Sequence, residues 1–78
     1  MNILDFLNLE RMDVVEEQRE IVSQLKKFGL SDYEAKAYLA LVMRGFGTAE
    51  EVADVAGIPR TSTYKTLDAL QQKGYVVL

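Results

Sequence analysis

The sequence predicts a mainly α-helical fold of the winged helix-turn-helix type, with a three-helix core, a long helix before it and a short strand after it. Helix-capping motifs mark where the core helices start, and glycines mark where they end. The last two helices are joined by a tight turn around Gly57, which makes them cross steeply as a helix-turn-helix. The 78 residues are enough for one small domain.

The first predicted helix runs from about Asp5 to Phe28 and ends at Gly29, which tolerates the left-handed conformation common after a helix. Arg11 and Gln18 interrupt its apolar stripe. The apolar residues recur at alternating steps of three and four positions, and they are Leu4, Leu7, Val14, Ile21, Leu25 and Phe28.

This stripe has two interpretations. A period of about 3.5 residues is typical of a two-stranded coiled coil, in which a polar interruption fixes the register. Alternatively, the helix packs across its own domain and covers the helix that follows it. We expect a mixture, in which the end near Leu25 and Phe28 packs inside, whereas Leu7, Val14 and Val15 contact a second copy.

The second helix is predicted from Asp32 to about Arg44, and Gly45 ends it. Ser31 and Glu34 form a capping box, in which the serine hydroxyl accepts a backbone N–H bond and the glutamate reaches back to the serine N–H. The positions expected to face inward are Ala37, Tyr38, Leu41 and Val42.

A second capping box, formed by Thr48 and Glu51, opens a short third helix that Gly57 ends. The fourth helix is predicted over Pro59–Lys73, because a proline at the first helical position loses no needed donor. One face of this helix carries Thr63, Thr66, Leu67 and Leu70. After Gly74, the residues Tyr75-Val76-Val77-Leu78 have the composition of a strand.

Composition excludes several classes of function. The chain has no Cys and no His, so zinc sites, thiol nucleophiles and imidazole acid-base catalysis are excluded. We therefore expect no enzyme activity, no catalytic residue, no metal and no cofactor. No long apolar run predicts a membrane span, and no basic leader predicts a signal peptide, so a cytoplasmic location is expected.

The net charge of −3 is unevenly distributed along the chain. Residues 1–23 carry six acids against two bases, a net charge of −4, whereas residues 24–78 carry seven bases against six acids. The stretch from Arg60 to Lys73 holds three bases and one acid. Binding to nucleic acid is therefore compatible with the charge of the core, although one copy would neutralise few phosphates.

The N-terminal half of the fourth helix has the composition of a surface that contacts DNA. Short hydroxyl side chains allow close approach to a major groove, an arginine offers two parallel donors to guanine or phosphate, and a lysine adds a point charge. The helix N-terminus itself favours phosphate. The candidate DNA-binding residues are Arg60, Thr61, Ser62, Tyr64 and Lys65.

The same residue types also occur at the start of any solvated helix. The short helix and the tight turn before Pro59 favour the helix-turn-helix interpretation instead. Tyr64 has two possible roles: its ring stacks on the sugar-phosphate backbone, or it covers the edge of the core while the hydroxyl stays in water.

Two blocks carry a resemblance to a known family. Gly-Leu-Ser-Asp-Tyr-Glu-Ala (residues 29–35) and Ile-Pro-Arg-Thr-Ser-Thr-Tyr (residues 58–64) resemble the corresponding segments of TrmB-type archaeal transcription regulators. The resemblance covers about two thirds of the chain. It implies a winged helix-turn-helix fold in which the helix over Pro59–Lys73 reads the major groove, with the five candidate residues facing DNA.

The sequence departs from that family's pattern in two ways. Such domains continue into a hairpin, the wing, whereas this chain ends at Leu78, so the wing is expected to be truncated or absent. The family also carries a C-terminal effector domain that binds sugars, to which nothing in this sequence corresponds. No small-molecule ligand is therefore inferred.

These features together predict a DNA-binding transcription regulator that reads double-stranded DNA as a homodimer. Residues 1–28 are expected to form a dimerisation helix, and residues 29–78 the helix-turn-helix domain. An alternative is a winged-helix module that binds proteins in a transcription or replication assembly without reading DNA. The acidic N-terminal third and the missing wing favour this alternative, whereas the segment from Arg60 to Lys65 favours DNA.

Overall fold

The structure is a computed structural model that describes residues 3–45 and 47–77, with side chains described from Val14 onward. It consists of four α-helices: α1 (Ile3–Lys27), α2 (Asp32–Arg44), α3 (Ala49–Ala56) and α4 (Arg60–Gln72). Helices α2, α3 and α4 pack against one another in pairs, and α1 packs against α2. The predicted helical fold is therefore confirmed, with each helix close to its expected bounds.

Both predicted capping boxes are present. Ser31 Oγ accepts the Glu34 N–H at 3.1 Å, and Glu34 Oε1 accepts the Ser31 N–H at 2.7 Å. Thr48 Oγ1 accepts the Glu51 N–H at 3.2 Å, and Glu51 Oε1 accepts the Thr48 N–H at 3.4 Å. Because two orphan donors are satisfied at each start, the chain enters α2 and α3 at defined residues.

The small core lies between α2, α3 and α4. Alanines provide much of the α2 contribution, which lets the neighbouring helices approach closely. The hydroxyls of two buried threonines bond back to carbonyls one turn earlier: Thr63 Oγ1 donates to Pro59 O at 2.9 Å, and Thr66 Oγ1 donates to Ser62 O at 2.7 Å. The buried apolar residues are Leu30, Ala35, Ala37, Ala40, Val52, Ala53, Ile58, Leu67 and Leu70.

Two residues that were expected inside are exposed. Val42 is 62% exposed, although it lies two turns after the fully buried Ala35 on the same face of α2. The residues that bury this face therefore do not reach the end of α2. Phe28 is 77% exposed. It follows α1 in a turn where its N–H bonds to Leu25 O at 3.0 Å, and this tighter i→i+3 winding shifts its side chain out of the helical phase.

The predicted C-terminal strand is not supported. Residues 75–77 form no strand in the described chain, and Leu78 lies outside the described residues. A strand needs a neighbouring strand to accept its hydrogen bonds, whereas here the Tyr75 N–H bonds to Leu70 O at 3.0 Å around Gly74 (φ +83°). The Tyr75 ring packs edge-on against Tyr38 at 5.8 Å, so helix contacts hold this segment.

A buried carboxylate connects the start of α2 to the end of α4. Glu34 is 7% exposed, and its Oε1 accepts Lys73 Nζ at 2.7 Å in addition to the Ser31 N–H. Lys73 Nζ also donates to Gly29 O at 3.2 Å. Burial raises the pKa of Glu34, but the hydrogen bonds from Lys73 and Ser31 favour the ionised form more strongly, so the pKa lies below its ordinary value of 4.5.

We expect Lys73→Met to lower the free energy of unfolding by about 1–3 kcal/mol at neutral pH, because a buried carboxylate loses a charged donor. The loss should shrink as the pH falls through the lowered pKa of Glu34, below 4.5, because the wild type then loses the same ion pair. Urea denaturation at neutral and acidic pH measures both values. Lys65→Met, on the exposed face of α4, is the matched control and should change stability by less than about 0.5 kcal/mol. An equal loss at both pH values would contradict the role of Glu34.

Candidate nucleic-acid interface

The turn between α3 and α4 has a defined geometry. Gly57 adopts the left-handed conformation (φ +70°, ψ +34°), and its N–H bonds to Ala53 O at 2.9 Å. The Ile58 N–H bonds to the same carbonyl at 3.1 Å, and the Ile58 side chain is buried. Pro59 precedes α4 in an extended conformation, so the helix begins one residue later than predicted. The turn therefore holds the start of α4 in a fixed direction relative to α3.

Helix α4 separates its buried and exposed faces as the sequence predicts. The face that packs against α2 and α3 buries Thr63, Thr66, Leu67 and Leu70. The structure places the five candidate residues together in the N-terminal half of the helix. Four of them are exposed and Ser62 is half-buried, and the set consists of Arg60, Thr61, Ser62, Tyr64 and Lys65.

Tyr64 does not cover the core. Its residue surface is 69% exposed, which rules out the interpretation in which the ring seals the edge of the domain. An aromatic side chain this exposed, beside Arg60 and Lys65, presents a flat apolar surface together with a hydroxyl. Of the two roles considered for Tyr64, stacking on the sugar-phosphate backbone stays a prediction.

One acidic neighbour of the candidate surface was not identified from the sequence. Asp54 Oδ2 lies 3.8 Å from Arg60 Nη2, and both side chains are more than two-thirds exposed. An ion pair this exposed is worth little, so Arg60 is free to exchange Asp54 for another anion. The sequence could have indicated that Asp54 lies near Arg60, because the tight turn at Gly57 brings the start of α4 back past the last turn of α3.

The start of α4 differs from the starts of α2 and α3. Pro59 at the cap position supplies no side-chain acceptor, and the first turn of α4 contains no acidic residue. The partial positive charge of the helix N-terminus is therefore not neutralised locally, in contrast to α2 and α3, which both have acidic first turns. Arg60 adds a full charge at the same end.

A groove beside α4 was also not predicted from the sequence. A groove of about 520 Å³ runs between the start of α2 and the middle of α4. Tyr33, 41% exposed, lines one side of it, and Ser62 and Lys65 line the other. The sequence predicts no role for Tyr33, and its separation along the chain from Lys65 gives no indication that the two share a surface.

The described residues also bear on metal binding and on membrane insertion. Among residues 3–45 and 47–77, no group of three or more His, Cys, Asp or Glu side chains is arranged to hold a metal ion. Within the same ranges, no helix is both long and apolar enough to cross a membrane.

Comparison with known proteins gives a family match over most of the chain. The family model described as sugar-specific transcriptional regulator TrmB matches residues 25–78. This range contains α2, α3 and α4 and begins near the end of α1. No solved structure matches the chain.

Several curated relatives are similar to the same region. The HTH-type sugar sensing transcriptional regulator TrmBL1 of Pyrococcus furiosus is 44% identical over 76% of this chain and 17% of its own length. The DNA-binding HTH-type transcriptional repressor TrmBL2 of Thermococcus kodakarensis is 44% identical over 64% of this chain and 19% of its own length. An uncharacterised Bacillus subtilis protein, YrhO, is 40% identical over 67% of the chain and 19% of its own length. The chain thus spans less than a fifth of these relatives.

We expect Gly57→Ala to lower the free energy of unfolding by about 1–2 kcal/mol, because a residue with a Cβ is strained in the left-handed conformation. Gly47→Ala is the matched control. A Cβ at Gly47 would meet Glu51 Cβ at an ordinary 3.6 Å, and Gly47 has no positive φ. Thermal unfolding measures both variants, and the expected loss corresponds to a decrease in Tm of roughly 4–16 °C for Gly57→Ala. Equal Tm values for the two variants would contradict the importance of this turn.

Proposed function

This chain belongs to the TrmB family of transcriptional regulators, and we propose that it binds double-stranded DNA by inserting α4 into the major groove, as a homodimer paired through α1. The observation that carries the proposal is the exposed N-terminal half of α4, which is basic and lies at an uncapped helix start. The sugar in the family's description concerns whole regulators, of which this chain spans less than a fifth. The proposal is therefore limited to DNA.

Each proposed DNA contact follows from the chemistry of a side chain on this face. The Arg60 guanidinium offers a planar pair of donors that suits guanine or a phosphate. Lys65, more than one turn later, adds a second charge. Thr61 and Ser62 have short side chains at the start of the helix, where a bulky residue would hold the backbone away from the groove.

The remaining aromatic contact involves the sugar-phosphate backbone. Tyr64 is exposed beside Lys65 at the edge of the surface, and the proposal places its ring along a deoxyribose with its hydroxyl on a phosphate. Such a contact positions the protein without reading a base. Base readout is assigned to Arg60, Thr61 and Ser62.

Pairing of two copies would compensate for the weak affinity of one copy for DNA. One copy carries a net charge of −3 and presents few bases to DNA, so its counterion release is small. Two copies double the number of phosphate contacts and place two reading helices about one DNA turn apart. The exposed Val14 and Val15 on α1 support pairing through this helix.

No catalytic activity is proposed. The similar proteins with assigned names are transcriptional regulators, and the described residues contain no metal-ligating cluster. Binding and release of DNA therefore constitute the proposed activity of this domain.

We expect Arg60→Gln to weaken binding to mixed double-stranded genomic fragments by about 1–3 kcal/mol and to reduce the salt slope by about one unit. Gln71→Glu is the matched control, because it changes the net charge equally at the exposed far end of the same helix. Fluorescence anisotropy over a salt series measures both. Equal affinities for the two variants would contradict a local role of Arg60. No binding by the wild type at low salt would favour the protein-interaction module instead.

We expect Asp54→Asn to strengthen DNA binding several-fold, because the substitution removes an anion 3.8 Å from Arg60 at the edge of the proposed interface. Glu50→Gln, an exposed change of equal charge on the first turn of α3, is the control and should have a smaller effect. The same anisotropy assay measures this difference. A gain no larger than that of Glu50→Gln would show that net charge, rather than proximity to Arg60, sets the affinity.

A further inference from the structure

Helix α1 is the longest helix of the described chain, and few of its described side chains pack on the core. Its 25 residues correspond to about 37 Å, and the molecule as a whole measures 48 × 26 × 20 Å. Only Val22 and Leu25 of α1 pack against the core among the described side chains. Val14 and Val15, near the middle of the helix, are 51% and 41% exposed. Val14 and Val15 therefore lie outside the contact between α1 and the three-helix body.

A groove of about 590 Å³ lies beside the C-terminal half of α1, where it faces α2 and α3. The groove has an apolar floor that includes Leu39, Met43 and Val55, of which Met43 is 59% and Val55 is 43% exposed. Its charged lining is mostly basic, with four bases against one acid: Arg19, Lys26, Lys27, Lys36 and Asp32. The groove therefore suits a segment that is both apolar and acidic.

The N-terminal half of α1 is a segment of that kind. Residues 3–14 carry three acids and one base, whereas the lining of the groove carries four bases and one acid. A second α1 that ran parallel would place acid against acid. An antiparallel α1 places the acidic residues 3–14 of each copy along the basic groove lining of the other, and it also opposes the helix dipoles favourably.

We propose that residues 3–14 of one copy occupy this groove on a second copy, in a two-fold symmetric exchange of α1. The α1 residues that line the groove run from Val15 to Lys27, a stretch close in length to the segment it would receive. Each copy contributes one segment and one groove, so the contact closes at two subunits. This inference rests on the homodimer of the proposed function and specifies which surfaces form it.

The sequence register supports the antiparallel arrangement. When residues 3–14 are aligned against residues 15–26 in reverse, the two polar interruptions of the stripe, Arg11 and Gln18, fall opposite each other. Val14 then lies opposite Val15 at the two-fold axis. In the same register, Glu10 lies opposite Arg19 and Asp13 lies opposite Glu16, so the apolar stripe rather than charge pairing supports the register.

A reciprocal charge swap tests the exchange in the absence of DNA. The segment variant carries Asp5→Lys with Glu10→Lys, and the groove variant carries Arg19→Glu with Lys36→Glu. Each variant alone should weaken dimerisation at least tenfold, because like charges then meet in both grooves. An equimolar mixture should recover a dimer near wild-type strength, since both grooves of the mixed pair again hold opposite charges. Sedimentation velocity measures the masses, and circular dichroism confirms that each variant is folded.

Two further variants separate this arrangement from other forms of pairing. Lys36 belongs to α2, so Lys36→Glu alone should weaken the dimer several-fold, whereas simple pairing of the two α1 helices would leave it unchanged. The combination Arg60→Glu with Lys65→Glu changes the net charge by as much as the groove variant does, and so it is the matched control. It should leave the dimer intact while abolishing DNA binding. A dimer that is insensitive to Lys36→Glu, a mixture that stays monomeric, or a wild type that is monomeric overturns the exchange. DNA binding through α4 is measured separately, so a failure of the α1 exchange is distinguished from a failure of DNA binding.

Discussion

The Glu34 carboxylate is the contact on which the direction of α4 depends. It closes the capping box at the start of α2 through the Ser31 N–H at 2.7 Å and binds Lys73 Nζ at 2.7 Å just after the end of α4. Lys73 in turn donates to Gly29 O, so the turn after α1 joins the same cluster. The other end of α4 is fixed by the buried Ile58 in the turn. Because both ends of α4 are held, the fold determines which of its side chains face outward.

The arrangement of charge follows from this geometry. Acidic residues are concentrated in the N-terminal half of α1, whereas the first turn of α4 has no acid and no side-chain cap. A chain of net charge −3 can therefore present a basic surface where α4 begins. The same segregation makes α1 acidic at one end and basic at the other. One distribution of charge thus supports both the proposed DNA contact and the proposed antiparallel pairing.

Local signals in the sequence predict most of this structure. The two capping boxes and the left-handed Gly57 act within a few residues, and the structure confirms them. The buried and exposed faces of α4 follow from periodicity. Errors arise where a local pattern depends on what lies opposite it. Val42 continues the face of Ala35 beyond the residues that cover that face. Within the described chain, no strand pairs with residues 75–77. The pairing of Lys73 with Glu34 spans 39 positions, so no local pattern identifies it.

The central claim is that the N-terminal half of α4 contacts DNA. Its most direct test is an NMR titration of the ¹⁵N-labelled chain with a short random DNA duplex at low ionic strength, read as amide shift changes along the sequence. DNA contact through α4 should produce the largest changes at Arg60, Thr61 and Tyr64, extending to Lys65, with small changes at the far end of α4. Changes confined to α1 or to the α1–α2 groove, with the start of α4 unaffected, would contradict it.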